Sequence, residues 1–290
     1  MPELPEVETI RRQLAPLVRG RTLREVEVLD RRWSDPLSPD ALAQALRGRR
    51  VEGLERRGKY LVWVLDGELF LVQHLRMSGT VLYDPLEDPP HTRVRMKLVR
   101  GNARGGESGE LVVSDPRRFG TAQLIASRAA LEEFFSARLG PEPFEEQFTG
   151  SYLRTQTRNR RAPIKAVLLD QRVVAGVGNI YADEALFRAR IHPARSARLL
   201  SAAESERLRS GILEALEAGI DARGASIDDF RHVDGVRGSF QDRFLVHRRA
   251  GEPCPRCGTP IVKRVVAGRG TYVCEHCQRR PRRARSSGGE

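Results

Sequence analysis

The chain has 290 residues, 40% of them hydrophobic, and a formal net charge of +12. That length accommodates roughly two domains, each with a real core. The longest apolar runs, Tyr60 to Leu65 and Leu69 to Val72, are too short to span a bilayer, so no membrane partner is expected, and the positive excess points to a polyanion.

The charge is unevenly placed. From Arg243 to Glu290, twelve Arg or Lys against three Glu leave +9, so most of the excess lies in the last sixth of the chain. A second cluster, Arg154, Arg158, Arg160, Arg161 and Lys165, contains no acid. Only four residues are lysine, at 59, 97, 165 and 263. Arginine suits bidentate phosphate contacts, although a GC-rich coding bias gives the same skew.

Met1 to Glu8 reads Met-Pro-Glu-Leu-Pro-Glu-Val-Glu. It has neither the basic start nor the apolar run of an export signal, so the expected location is cytoplasmic. Removal of Met1 would leave Pro2 with a free secondary amine. An α-amino group has a reference pKa near ~8, below the ~10.4 of lysine, so it is the better nucleophile toward an aldehyde carbon near neutral pH. A secondary amine forms an iminium that stays cationic and acts as an electron sink. The same residues also read as a Pro-rich lead-in to a helix, with Glu3 and Glu6 favouring its N-terminus.

Val7, Ile10, Leu14 and Leu17 recur at helical spacing, and Gly20 stops the run. Leu23 to Leu29 alternates as a strand, and Ala41 to Leu46 reads as a short helix. Strands follow at Val51 to Leu54, Lys59 to Leu65, Leu69 to Leu75, Val94 to Val99, Leu111 to Ser114 and Thr121 to Ile125, separated by Gly, Asp and Pro turns. This is one helix on an antiparallel β-sandwich. Gly101 to Gly109 reads as a flexible hairpin insertion without chemistry. After Ala129 the period becomes helical, through Leu131 to Leu139, Ser151 to Thr157, Ile164 to Leu169, Ile180 to Arg188 and Ala202 to Ala218. Val173 to Asn179, with Gly176 and Gly178, interrupts it. Asp234 to Ser239 is a polar loop. Arg279 to Glu290 reads as disordered.

All four cysteines fall in two C-x2-C pairs, Cys254/Cys257 and Cys274/Cys277, with sixteen residues between the pairs. This spacing holds four thiolates around one tetrahedral Zn²⁺. His276 is a weaker alternative ligand. With four cysteine ligands no coordination position is open, so the metal is structural. Pro260 to Val262 and Thr271 to Val273 supply hairpin strands, and Arg269 lies on the turn Ala267 to Gly270, well placed for phosphate.

Pro2 to Glu8, Arg57-Gly58-Lys59-Tyr60-Leu61, His74-Leu75-Arg76-Met77-Ser78-Gly79, Asp115-Pro116-Arg117-Arg118-Phe119-Gly120, Val174 to Ala182 and the four cysteines closely resemble bacterial formamidopyrimidine-DNA glycosylase, the 8-oxoguanine DNA glycosylase/AP lyase. The motifs run in the family's order from Pro2 to Cys277. The resemblance implies an α+β fold. Residues 1–130 would form a catalytic β-sandwich domain and 131–240 a helical domain with a helix–two-turn–helix. Residues 241–280 would form the zinc finger and 281–290 a disordered basic tail.

The implied activity is base excision of oxidised purines, 8-oxoguanine and formamidopyrimidines, from duplex DNA, followed by β,δ-elimination, by a monomer. Pro2 would attack C1′ and form a Schiff base. Glu3 would be the general acid of sugar-ring opening, a role that needs a protonated carboxyl. Lys59 would serve β-elimination, and Arg269 would bind the lesion phosphate and serve δ-elimination. Glu6, Met77, His91, Arg117, Arg118, Phe119, Arg161 and Asn179 would be DNA-binding positions. Among these, Met77, Arg117 and Phe119 would fill the void left by the everted base.

Arg76 departs from the family's usual Gly, Ser239 from an expected aromatic residue in the loop covering the everted base, and His247-Arg248 from a usual Tyr-Gly. Two other readings differ in class. The sister endonuclease VIII type, which prefers oxidised pyrimidines, shares Pro2, Glu3 and the finger, but Leu4 and the Arg117-Arg118-Phe119 run favour the purine enzyme. A non-enzymatic zinc-ribbon DNA-binding protein would give the N-terminal motif no purpose.

Overall fold

The computed structural model describes residues 2–100, 107–227 and 233–280. The expected tail 281–290 and positions 101–106 of the expected insertion lie outside the described residues. The chain forms two compact units, Met1–Gly140 with Glu217–Arg243, and Pro141–Leu216 with Phe244–Glu290.

The first unit runs α1 (Leu4–Val18), β1 (Thr22–Val28), α2 (Arg31–Ser34), α3 (Pro39–Leu46), β2 (Val51–Arg57), β3 (Tyr60–Leu65), β4 (Leu69–His74), β5 (Thr80–Tyr83), β6 (Thr92–Val99), β7 (Ser108–Ser114), β8 (Thr121–Ile125) and α4 (Arg128–Ser136). Two four-stranded antiparallel sheets result, in the orders β1-β6-β7-β5 and β2-β3-β4-β8. Alternation along the strands sends Val26, Val94, Met96 and Val113 of one sheet, and Leu54, Leu61, Trp63 and Leu71 of the other, into a single core. Val7, Ile10, Leu14 and Val18 of α1 are fully buried in that core. Each such side chain contributes about 2 kcal/mol, which fixes the helix and hence the chain start. Val62, Phe70 and Val72 on the opposite face of the second sheet pack on Leu131 and Phe135 of α4.

The second unit holds α5 (Gly150–Thr157), α6 (Ile164–Leu169), α7 (Asn179–Arg188), the larger part of α8 (Ala202–Asp221), and a hairpin of β9 (Val262–Val266) and β10 (Arg269–Val273). No described helix is long and apolar enough to cross a membrane.

Several elements differ from expectation. The four-residue strand β5 and the single-turn α2 were not anticipated, because neither is long enough to establish a period. Ser108 and Gly109, expected in a flexible insertion, belong to β7, which pairs with β6 from Val99↔Ser108 onward. The finger strands extend further toward the turn than expected, so Arg269 opens β10 opposite Val266 instead of lying on the turn.

Candidate active site and zinc centre

Pro2 and Glu3 are both buried at the start of α1. Glu3 is the N-cap residue, with extended backbone, and the helix begins at Leu4 with Pro5 in its first turn. The Glu6 carboxylate accepts the Glu3 N–H at 2.8 Å and closes a capping box. Its other oxygen accepts the Ala225 N–H at 2.7 Å. The neighbouring Gly224 has φ +74°, and a Cβ there would lie 2.8 Å from Glu6 Cγ, so glycine is what permits this approach. Glu6, expected at the DNA, is 1% exposed and serves here to hold the chain start.

Lys59 lies at the second position of a two-residue turn, since Arg57 pairs directly with Tyr60 across β2 and β3. Gly58 supplies the left-handed residue, φ +56°, that such a turn requires. Lys59 is nonetheless 5% exposed. A strap ties this turn to the nucleophile helix. Arg56 Nε donates to Glu8 at 3.1 Å and Arg56 Nη1 donates to the Gly58 carbonyl at 3.0 Å. Burial alone would raise the Glu8 pKa, but hydrogen bonds from Arg11 and Arg12 and the charge of Arg56 bring it to about 2. His74 is driven down to about 3 by burial and by the nearby charges of Arg76 and Lys59. It is therefore neutral, and its Nδ1 accepts the Arg76 N–H at 2.9 Å.

Met77 and Phe119 are 40% and 48% exposed, and the Arg117 guanidinium lies over the Phe119 ring at 5.0 Å. Both side chains stand open to solvent on short loops, as a void-filling role would need. Arg118 is exposed but engaged, donating to both oxygens of Asp30 at 2.7 and 2.9 Å. His91 is exposed, with φ +62°.

In the second unit, Gly178 caps α7 and Asn179 opens it. Asn179 Nδ2 spends one of its donors on the Gly270 carbonyl at 3.1 Å. Beneath lies a fully buried ion pair, Lys165 Nζ to Asp183 Oδ1 at 2.6 Å. Lys165 also donates to Thr271 Oγ1 at 2.8 Å and to the Gly270 carbonyl at 3.2 Å, while Asp183 Oδ2 bonds His247 Nδ1 at 2.9 Å and accepts the Tyr272 N–H at 3.3 Å. This network stitches β10 to α6 and α7, with Arg269 exposed one residue beyond it. Lys165 is thus buried and paired, unlike Arg161 of the same basic run, which is exposed. Arg160 of that run pairs with Asp170.

The Sγ atoms of Cys254, Cys257, Cys274 and Cys277 all lie within 4.8 Å of one another. Cys254 to Cys277 is 3.9 Å and Cys257 to Cys274 is 3.5 Å. A tetrahedron with Zn–S bonds of about 2.3 Å has edges of about 3.8 Å, so the four thiolates fit one zinc ion. His276 is exposed and outside the cluster. The protein carries one structural Zn²⁺, and Phe187, Val246 and Ile261 pack around Cys254 and Cys274.

The departures acquire a local meaning. Arg76 and Arg248 stand where glycine is usual, and both hold left-handed backbone, φ +55° and +60°. Ser239 turns its N–H and hydroxyl to the Ala222 carbonyl, at 3.0 and 3.3 Å. Sequence reasoning missed Glu8, Asp30, Asp115, Lys165 and Asp183 as organising residues. Of these, Glu8 and Asp115 alone stood within recognised motifs.

Family models described as the formamidopyrimidine-DNA glycosylase N-terminal domain, the formamidopyrimidine-DNA glycosylase H2TH domain and a zinc finger found in FPG and IleRS match residues 1–122, 139–231 and 251–280. A formamidopyrimidine-DNA glycosylase of Desulfitobacterium hafniense is 43% identical over 283 residues, covering 96% of this chain and all of that protein. One from Thermus thermophilus is 45% identical over 280 residues, covering 96% and 98%. Among solved structures, the MutM (Fpg) protein of Thermus thermophilus has a TM-score of 0.84 at 44% identity, covering 96% of this chain and 98% of that one. Lactococcus lactis Fpg in complex with abasic-site DNA has a TM-score of 0.87 at 36% identity, covering 96% and 100%. Further structures of that protein hold Fapy-dG DNA and oxidised-pyrimidine DNA.

Proposed function

The chain belongs to the formamidopyrimidine-DNA glycosylase family, and on that premise we propose that it is a DNA glycosylase and abasic-site lyase of base excision repair, acting on oxidised purines in duplex DNA. The observation that carries this reading is the chain start. Pro2 and Glu3 are buried together, and Glu6 ties them to the Ala225 backbone.

Once Met1 is removed, the Pro2 amine attacks C1′ of the everted nucleotide and the glycosidic bond breaks, its electron pair leaving with the base. Glu3 protonates the ring oxygen as the sugar opens, which gives a cationic iminium. That iminium acidifies the C2′ proton. Loss of the proton expels the 3′ phosphate, with Lys59 serving this step from its buried turn. A second elimination expels the 5′ phosphate, gripped by Arg269. Met77, Arg117 and Phe119 fill the void in the duplex, and Arg118, His91, Arg161 and Asn179 serve the DNA backbone. In this division of labour residues 1–130 carry Pro2, Glu3, Lys59 and the void-filling side chains, while 131–240 and the finger 241–280 supply Arg161, Asn179 and Arg269. The cytoplasm, at the nucleoid, is where a monomer of this kind works.

Borohydride trapping tests the reading. Incubated with a duplex holding 8-oxoguanine opposite cytosine, the protein should form a covalent complex that Pro2→Gly abolishes. Trapping only on oxidised thymine would transfer the assignment to pyrimidines. No trapping on either lesion or on an abasic site would overturn it.

A further inference from the structure

Asp115 follows β7 and is 1% exposed. Its Oδ2 accepts the N–H groups of Phe119 at 2.9 Å and Gly120 at 2.7 Å. Its Oδ1 accepts the Arg117 N–H at 3.2 Å and the Ser78 hydroxyl. Its own N–H donates to the His91 carbonyl at 3.1 Å, and its carbonyl accepts Arg93 Nε at 2.9 Å. One buried carboxylate therefore joins the turn that carries Met77 to the turn that carries Arg117 and Phe119, and its backbone anchors the His91 loop.

Asp115 braces its own turn, whose backbone also closes through the Arg118 N–H to the Asp115 carbonyl at 3.3 Å, but among the described residues the Met77 turn has no such brace of its own. Leu75 to Gly79 closes on a single backbone bond, Gly79 N–H to the Leu75 carbonyl at 3.1 Å. A Cβ at Gly79 would stand 2.6 Å from that same carbonyl oxygen. Arg118 occupies left-handed backbone, φ +58°, and is pinned by the buried Asp30. Side chains that push between stacked bases must resist an unstacking cost of a few kcal/mol per step, so they need a stiff backing. Hydrogen bonds to a buried charge are the strongest device available for that purpose.

We infer that Asp115 is the positioning residue of the duplex-opening wedge, locking Met77, Arg117 and Phe119 into one rigid body. It acts on base eversion and not on the chemistry at Pro2. The inference rests on the reading of those three residues as void-filling.

The test uses the full chain and duplexes carrying 2-aminopurine beside the lesion, whose fluorescence rises on unstacking. For Asp115→Ala we expect single-turnover excision of 8-oxoguanine to slow by about tenfold to a hundredfold, with a weakened fluorescence rise, while cleavage of a preformed abasic duplex stays within about twofold. Asp115→Asn should lose less. Its amide oxygen can serve Phe119 and Gly120 while its NH2 donates to the Ser78 oxygen, and the Arg117 N–H, which meets the new donor, keeps its contact with Ser78 Oγ at 3.3 Å. Ser78→Ala cuts both links from the Met77 turn, the hydroxyl to Asp115 and the Arg117 N–H to Ser78 Oγ at 3.3 Å, and leaves the buried charge in place, so it reports even if Asp115→Ala does not fold. An intermediate loss, confined to the base-bearing substrate, is expected of it. Wild-type excision and fluorescence in both alanine variants would overturn the inference. So would equal losses on both substrates in a folded variant. If the wild-type protein itself excised the base with no fluorescence change, the void-filling reading would fall instead.

Discussion

The Asn179 side chain donates to the Gly270 carbonyl at 3.1 Å, so the first residue of α7 and the residue after the finger arginine are held to one another. Arg269 is therefore as well placed as the hairpin that carries it. Stripping the zinc, or Cys257→Ser, should release that hairpin and weaken affinity for lesion DNA by at least about tenfold, the loss of a charge-assisted phosphate contact. The sandwich of the first unit should keep its far-ultraviolet spectrum. A zinc-free protein that binds with full affinity would contradict this.

The Lys165–Asp183 pair beneath the finger is buried on both sides. Lys165→Met leaves the Asp183 carboxylate in the interior with only His247 and the Tyr272 N–H as partners, and a cost of about 3 kcal/mol in denaturant unfolding is expected. The double variant Lys165→Met, Asp183→Leu should recover part of that loss, because no uncompensated charge remains. No difference between the single and double variants would show that the site is wet.

Arg76 and Arg248 hold backbone that costs a side-chain-bearing residue roughly 1–2 kcal/mol, offset in part by the greater freedom of an unfolded glycine. Arg76→Gly and Arg248→Gly should each raise thermal stability by up to about 1 kcal/mol. A fall in the melting temperature of either variant would mean that the arginine side chain contributes more than its backbone costs.

Among the groups that give the fold an acid-labile character, His74 and Glu8 are the two displaced to about 3 and about 2. His74 has a folded pKa of about 3 against an ordinary 6.5, so the unfolded chain takes up its proton first. Its stabilising effect is complete above pH 6.5 and declines as the pH falls toward 3, by about 1.4 kcal/mol per pH unit. Glu8, held at about 2 against 4.5, acts in the same direction but only below pH 4.5. Between pH 6.5 and 4.5 the slope belongs to His74 and to His192, whose pKa burial also lowers. His74→Asn should make the slope shallower there, as read from denaturant midpoints, while leaving the steepening below pH 4.5.

Much of this was legible in the residues. The period of Val7 to Leu17, the alternation in the strands and the paired cysteines each state a local rule that the fold obeys. The short elements β5 and α2 were not legible, since a few residues carry no period. Nor were the organising charges. Asp183 meets Lys165 from 18 positions away, and Asp30 meets Arg118 across 88, so nothing nearby in sequence betrays the partner. The basic run that ends at Lys165 looked uniform because its members part company only in three dimensions, one into an ion pair and another into solvent. Arg76 and Arg248 look arbitrary until their backbone angles are known.

The burial of Lys59 and Lys165 has a practical corollary. Of the four lysines, only Lys97 and Lys263 offer their side chains to solvent. A bulky amine-directed reagent should therefore label two lysines in the folded protein and two more only after denaturation, as peptide mass mapping can show. Dyes or surface linkers attached through Lys97 and Lys263 would leave the buried turn at Lys59 untouched, and an aldehyde-bearing DNA would meet few competing amines on its way to the chain start.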